Sequence, residues 1–343
     1  MTNTGYINQL ISQAIDDGIF PGAAISVGDK NGEIFRNYYG HRALYPEKLL
    51  MEENTLFDLA SLTKIISTTM VALALIEAEK LSPDDTLDKF FNLPDDKRQI
   101  TIRHLMTHVS GLAAHIPLYN LAKSPVDVYD VILSQPLQTQ PGTNVVYSCL
   151  GFILLGKICE MVGDAGLDEL ASRFVFRPLG LKNIGYNPAA MSSTFAATEY
   201  CPELQEWLCG TVHDENARFM GGVSGNAGLF ADIGDCAAVA TMFANKGKGV
   251  ISQYLFEEAI KNHTAHFDEG RGLGFAVKNE PNLYGHTGFT GTSIWVNAET
   301  GLYVVFLTNR VHPTRDDNRL TAFRDVLTHK ILEENFYAHK NRH

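Results

Sequence analysis

Phe57-Asp58-Leu59-Ala60-Ser61-Leu62-Thr63-Lys64 runs without a break into Ile65-Ile66-Ser67-Thr68-Thr69-Met70-Val71-Ala72-Leu73-Ala74-Leu75-Ile76. The apolar spacing of the second part predicts a buried helix, which we place from Asp58 to about Glu79. A helix that begins near Ser61 sets Ser61 and Lys64, at i and i+3, on one face one turn apart. A serine hydroxyl is a poor nucleophile until a base takes its proton. A lysine can be that base once burial or neighbouring positive charge lowers its pKa. The first helical turn adds free N–H groups and the positive end of the dipole, which favour a neutral amine and a developing oxyanion. Alone, Ser-x-x-Lys recurs by chance in a chain of 343 residues, as a helix with a serine near its start and a solvated lysine. The rest of the chain must decide.

The composition is that of an ordinary globular protein, 45% hydrophobic and 20% charged. It suffices for one large domain or two intimate lobes. The formal net charge of −11, with no basic run, argues against nucleic acid as a partner. No stretch of 18 or more residues is uniformly apolar, so no membrane segment is expected. Met1-Thr2-Asn3-Thr4-Gly5-Tyr6 is not a charged region leading into an apolar one, and a bacterial cytoplasmic location is the expectation. Cys149, Cys159, Cys201, Cys209 and Cys236 are odd in number and widely spaced, which fits reduced thiols rather than a disulfide framework. His104 and His108 stand at i, i+4, but Leu105-Met106-Thr107 between them supplies no glutamate. No metal site is expected there.

The alternation of periods sets the architecture. An amphipathic helix is predicted from Thr4 to Asp17. Strands follow over Ala23–Gly28 and Ile34–Tyr39, joined by the hairpin signal Asp29-Lys30-Asn31-Gly32. From the central helix to about residue 220 the pattern is mainly helical, with segments at Ile102–Met106, Val126–Ser134, Gly151–Val162 and Leu167–Phe176. Residues 186–217 read as irregular, and Gly221–Gly228 as a turn lining a pocket rather than a phosphate cradle. Ile233–Asn245 and Tyr254–Asn262 are predicted helical. Gly274–Val277, Thr292–Val296 and Leu302–Thr308 return to strand, and Leu320–Phe336 closes the chain as a helix. Strands at both ends with helices between predict one antiparallel sheet built from both termini and a helical lobe inserted between them.

Three further features accompany Ser61 and Lys64. Tyr147-Ser148-Cys149 follows Pro141-Gly142 at a helix start. A tyrosine among cations can act as general base or protonate a leaving group, although a lone tyrosine more commonly packs in a core. Gly285-His286-Thr287-Gly288-Phe289-Thr290-Gly291-Thr292-Ser293 leads into a strand. There small residues let a substrate backbone approach and N–H groups can serve an oxyanion; the plain alternative is a glycine-rich hairpin. Leu105-Met106-Thr107-His108-Val109-Ser110-Gly111-Leu112 carries no derivable chemistry, and His108 reads as structural.

Taken in order, Ser61-x-x-Lys64, Tyr147-Ser148 and His286-Thr287-Gly288 resemble the penicillin-recognising serine hydrolases, the β-lactamase and penicillin-binding-protein superfamily. Eighty-six residues separate Ser61 from Tyr147, which resembles the class C branch with its D-alanyl-D-alanine carboxypeptidases and esterases. Leu105–Leu112, Pro141–Gly156, Val212-His213-Asp214-Glu215-Asn216-Ala217 and Ala227–Phe230 extend the likeness over about residues 6–335.

The resemblance implies an α+β, β-lactamase/transpeptidase-like fold in a single catalytic domain. Its α/β lobe would comprise about 1–57 plus 230–343, and its helical lobe about 58–229. It implies Ser61 as acylated nucleophile, Lys64 as its base or proton carrier, and Tyr147 sharing proton transfer. The N–H groups of Ser61 and Phe289 would form an oxyanion hole. His286, Thr287, Gly288 and Cys149 would line the substrate site, and no metal or organic cofactor is required. The expected function is a serine acyl hydrolase acting on a small ester, amide or D-amino-acid peptide. A carboxypeptidase, a weak β-lactamase, or a penicilloyl- or muropeptide-binding sensor without turnover are the alternatives. Two departures bear on substrate: His286 stands where many members have lysine, and Cys149 where many have asparagine. Both weaken the expected grip on a carboxylate or acyl amide and are compatible with esterases.

Overall fold

The computed structural model describes residues 3–192, 194–279 and 282–332. Its strands are β1 (Gly22–Asp29), β2 (Gly32–Ala43), β3 (Leu49–Leu50), β4 (Phe57–Asp58), β5 (Ile184–Tyr186), β6 (Tyr200–Cys201), β7 (Glu206–Trp207), β8 (Leu229–Ala231), β9 (Ala276–Lys278), β10 (Leu283–Thr287), β11 (Ser293–Asn297) and β12 (Tyr303–Thr308). Seven of them form an antiparallel sheet in the order β3-β2-β1-β12-β11-β10-β9, so the two ends of the chain meet where β1 pairs β12. The predicted mixed fold is therefore present. At the β1–β2 turn the Asn31 N–H donates to Asp29 Oδ1 at 2.7 Å, the Asx turn that the Asp-Lys-Asn-Gly signal implies.

Side chains alternate across this sheet with period two. Ala23, Ile25 and Val27 of β1, with Val304 and Phe306 of β12, face the helices Asn3–Asp16 and Leu320–Leu332. Ala24, Val305 and Leu307 face the helix Ile233–Ala244 and the larger core around the central helix. The predicted end of the closing helix at Phe336 lies outside the described residues.

Three sequence expectations change. Asp58 does not begin the central helix. With Phe57 it forms β4, paired with β8 through Phe57↔Ala231 and Asp58↔Phe230. The helical segment after Ser61 is wound as a π-turn over Lys64–Thr68 and as an α-helix over Thr69–Glu77. A distant strand competes here with local helical propensity and wins. Gly285–Ser293, read as a glycine-rich stretch leading into a strand, begins inside another full strand, Leu283–Thr287, which lies between β11 and β9. Gly274, expected to open a strand, instead turns at φ +87°, and β9 begins at Ala276.

Candidate active site

The turn that carries Ser61 is held from several sides. Ala60 adopts the left-handed conformation at φ +46°, unfavourable for a residue with a Cβ. The buried carboxylate of Asp58 offsets this by accepting the Ala60 N–H at Oδ1 (2.8 Å) and the His213 N–H at Oδ2 (2.7 Å). Thr290 Oγ1 donates to the Asp58 carbonyl at 2.7 Å and Thr292 Oγ1 to that of Leu59 at 3.0 Å. The Ser61 turn is thus tied to the β10–β11 turn. Gly288 sits at this junction, where an added Cβ would collide with Thr292 Oγ1 and fall 2.5 Å from Leu59 O. The glycine expected to admit a substrate backbone admits the backbone of the Ser61 turn.

Ser61, Tyr147, His286, Thr287, Gly288 and Phe289 line one cleft of about 770 Å³. Lys64 lies beneath Ser61, fully buried, and its Nζ donates to Ser61 Oγ at 2.9 Å, to Asn226 O at 2.9 Å and to Cys149 Sγ at 3.6 Å. The i, i+3 expectation therefore holds as geometry. The glycine-rich segment supplies the Asn226 carbonyl and packs behind the lysine. Tyr147 ends the loop before the helix Cys149–Gly163, with its ring centre 5.1 Å from Lys64 Nζ. Among the described residues, neither the Ser61 N–H nor the Phe289 N–H is engaged in a hydrogen bond. His104 is separated from His108 in role, since its Nδ1 accepts the Thr101 N–H at 3.2 Å. Among the described residues no group of three or more His, Cys, Asp or Glu could hold a metal.

Burial presses hardest on Lys64 and favours its neutral amine. Negative charge on Cys149 or Tyr147 pulls the other way, and the net displacement is upward. Tyr147 is itself raised, chiefly by burial, so its phenol keeps its proton at neutral pH. His286, 4% exposed, lies well below the ordinary histidine range because of burial and then the charges of Arg271 and Lys64. Its Nδ1–H donates to Thr287 O at 2.7 Å, which leaves the lone pair on Nε2. The neutral histidine is no cationic anchor.

Positive charge enters the cleft from residues that no motif flagged. Arg271 is 6% exposed, with its guanidinium carbon 5.3 Å from the Tyr147 ring centre. One nitrogen pairs with Glu269, while Nε has no partner among the described residues. Arg324 also lines the cleft. Burial lowers it to about 10, partly offset by Asp325, and it remains a cation at neutral pH. A lone arginine has no local signature, so neither could be read from spacing.

The comparisons agree with this architecture. The Beta-lactamase family model matches residues 7–328. A relative from Escherichia coli strain K12, described as "Putative D-alanyl-D-alanine carboxypeptidase", is 32% identical, over 92% of this chain and 85% of that protein. Among solved structures, EstCE1, a hydrolase with promiscuous acyltransferase activity, superposes with a TM-score of 0.79 at 22% identity, covering 95% of this chain and 98% of that one. The octameric penicillin-binding protein homologue of Pyrococcus abyssi gives 0.77 at 21% identity, over 96% of this chain and 79% of that one. With the family's pattern running through nearly its whole length and the fold of these hydrolases around its cleft, the chain belongs to the Beta-lactamase family.

Proposed function

We propose that this protein is a serine acyl hydrolase that works through an acyl-enzyme on Ser61 and prefers a substrate with a carboxylate on its leaving-group side. The observation that carries the reading is the 2.9 Å contact of the buried Lys64 Nζ with Ser61 Oγ at the floor of the cleft. Ser61 Oγ attacks the carbonyl carbon as its proton passes to Lys64 in its neutral-amine form, the form that burial favours. The oxyanion lies between the unengaged N–H groups of Ser61 and Phe289. The bond to the leaving group breaks as Tyr147 donates its proton, and water then adds to the ester, its proton returning through the same residues.

Arg271 and Arg324 refine the expectation on substrate. Neutral His286 and Cys149 taken alone favour a neutral ester. Two cations in the cleft, Arg271 buried and Arg324 half-buried, favour an anion there. D-amino-acid peptides with a free C-terminus meet that requirement, and the carboxypeptidase description of the Escherichia coli relative supports the same class.

The test is intact-protein mass spectrometry during turnover of a p-nitrophenyl short-chain ester, nitrocefin and a D-Ala-D-Ala peptide. Wild type and Ser61→Ala are run side by side. Turnover with a transient adduct in wild type and neither in Ser61→Ala is expected. Near-wild-type turnover by Ser61→Ala overturns the mechanism, and a lasting adduct without product release points to a sensor instead.

A further inference from the structure

His108 lies outside the proton-transfer steps above, yet its surroundings single it out. It is a non-glycine residue at φ +60°, 1% exposed, inside the core. Both of its acceptors are spent on the loop that carries Tyr147. The His108 carbonyl accepts the Val146 N–H at 2.8 Å, and Nδ1 accepts the Ser148 N–H at 3.0 Å. These bonds grip the residues on either side of Tyr147, and the imidazole lies against its ring with centres 4.6 Å apart. On its other side the imidazole meets Phe152 at 5.2 Å. The left-handed backbone lets one residue present its carbonyl and its ring to the same strand of chain.

We infer that His108 is a positioning residue for Tyr147, acting as a neutral hydrogen-bond acceptor that fixes the phenol over Ser61 and Lys64. The role demands neutrality, because a proton on Nδ1 would replace the acceptor with a donor facing the Ser148 N–H. The surroundings enforce it: burial, followed by the charges of Arg271 and Lys64, holds His108 well below the ordinary histidine range. With Nδ1 accepting, the ring proton sits on Nε2, which is buried without a partner among the described residues. An apolar residue would remove that orphaned donor but leave the Ser148 N–H without its acceptor, so the position needs the Nδ1 lone pair.

The inference rests on Tyr147 serving as the proton donor and acceptor proposed above, and the experiment separates the two. Steady-state kinetics with a p-nitrophenyl short-chain ester are compared for wild type, His108→Gly, His108→Asn, Tyr147→Phe and the double variant His108→Gly/Tyr147→Phe. Glycine and asparagine both tolerate the left-handed backbone, but only asparagine offers an oxygen at the Nδ1 position. His108→Gly is expected to lose about 10²-fold in kcat, the scale of a misplaced catalytic group, with KM little changed. His108→Asn is expected to recover most of the loss. In the Tyr147→Phe background His108→Gly should cost nothing further, because the group it orients is gone.

An equal loss in both backgrounds overturns the inference, as does wild-type kcat in His108→Gly. If His108→Gly does not fold, His108→Gln replaces it, carrying its amide to the Nε2 position and leaving Ser148 unpaired; wild-type kcat there overturns the inference equally. Wild-type activity in Tyr147→Phe refutes the functional reading itself.

Discussion

Replacement of Arg271 by methionine keeps the length of the buried stem and deletes the charge. Two opposite unit charges about 4 Å apart attract by about 4 kcal/mol at an effective dielectric near 20. Glu269 already neutralises part of the guanidinium, although its side chain is 54% exposed and poorly placed to do so fully. Arg324 remains in the cleft to hold the anion. Halving the attraction for these two reasons leaves about 2 kcal/mol, or about 30-fold in kcat/KM. The assay compares an N-acyl-D-alanyl-D-alanine with its C-terminal carboxamide. Arg271→Met should lose about 30-fold on the acid and leave the carboxamide unchanged. An equal loss on both would refute the reasoning and transfer Arg271 to Tyr147, whose ring it also faces; no loss on either would remove it from substrate recognition. Stability should hardly move, because a pair with an exposed partner contributes little.

Phe152→Ala should cost about 3–5 kcal/mol of stability, as for other fully buried aromatic residues, read as a drop in the urea midpoint. The ring lies 5.8 Å from Lys64 Nζ, so the cavity also admits water beside the lysine, favours its ammonium and lowers kcat. Glu199 is drawn down to about 2 from 4.5: burial opposes this, but hydrogen bonds from His213 and Arg315 outweigh it. A depressed carboxylate adds stability above its unfolded value that disappears as pH falls through the folded one. Glu199→Gln should therefore lower Tm at pH 7 and match wild type near pH 2. Thermal melts across that range check it, and a constant difference at every pH would remove the charge as the cause.

Much of the active site was legible because its chemistry is written in short spacings. Ser61 and Lys64 stand one turn apart in any right-handed helical turn, so their contact needs no tertiary information. The apolar runs of β1 and β12, with the hairpin signal after β1, announced the sheet for the same reason. Asp58 was misread as helical because the strand that claims it, Leu229–Ala231, lies far along the chain, and pairing outweighs local helical pattern. Leu283–Thr287 was half-hidden by Gly285 and Gly288, which read as turn formers until β9 and β11 flank them. Arg271 and Arg324 were invisible because an arginine becomes a site only through what surrounds it.

The sequence by itself determined the spacing of Ser61 from Lys64, the order of the motifs and the class of fold, because these depend on helical and strand periods over a few residues. Only the tertiary structure decided which groups are charged and where they point. Lys64 beside a protonated Tyr147, His286 and His108 kept neutral, and Arg271 buried as a cation all depend on desolvation and charges brought close from distant parts of the chain. Those energies fall off with distance through space, and no spacing along the chain encodes that distance.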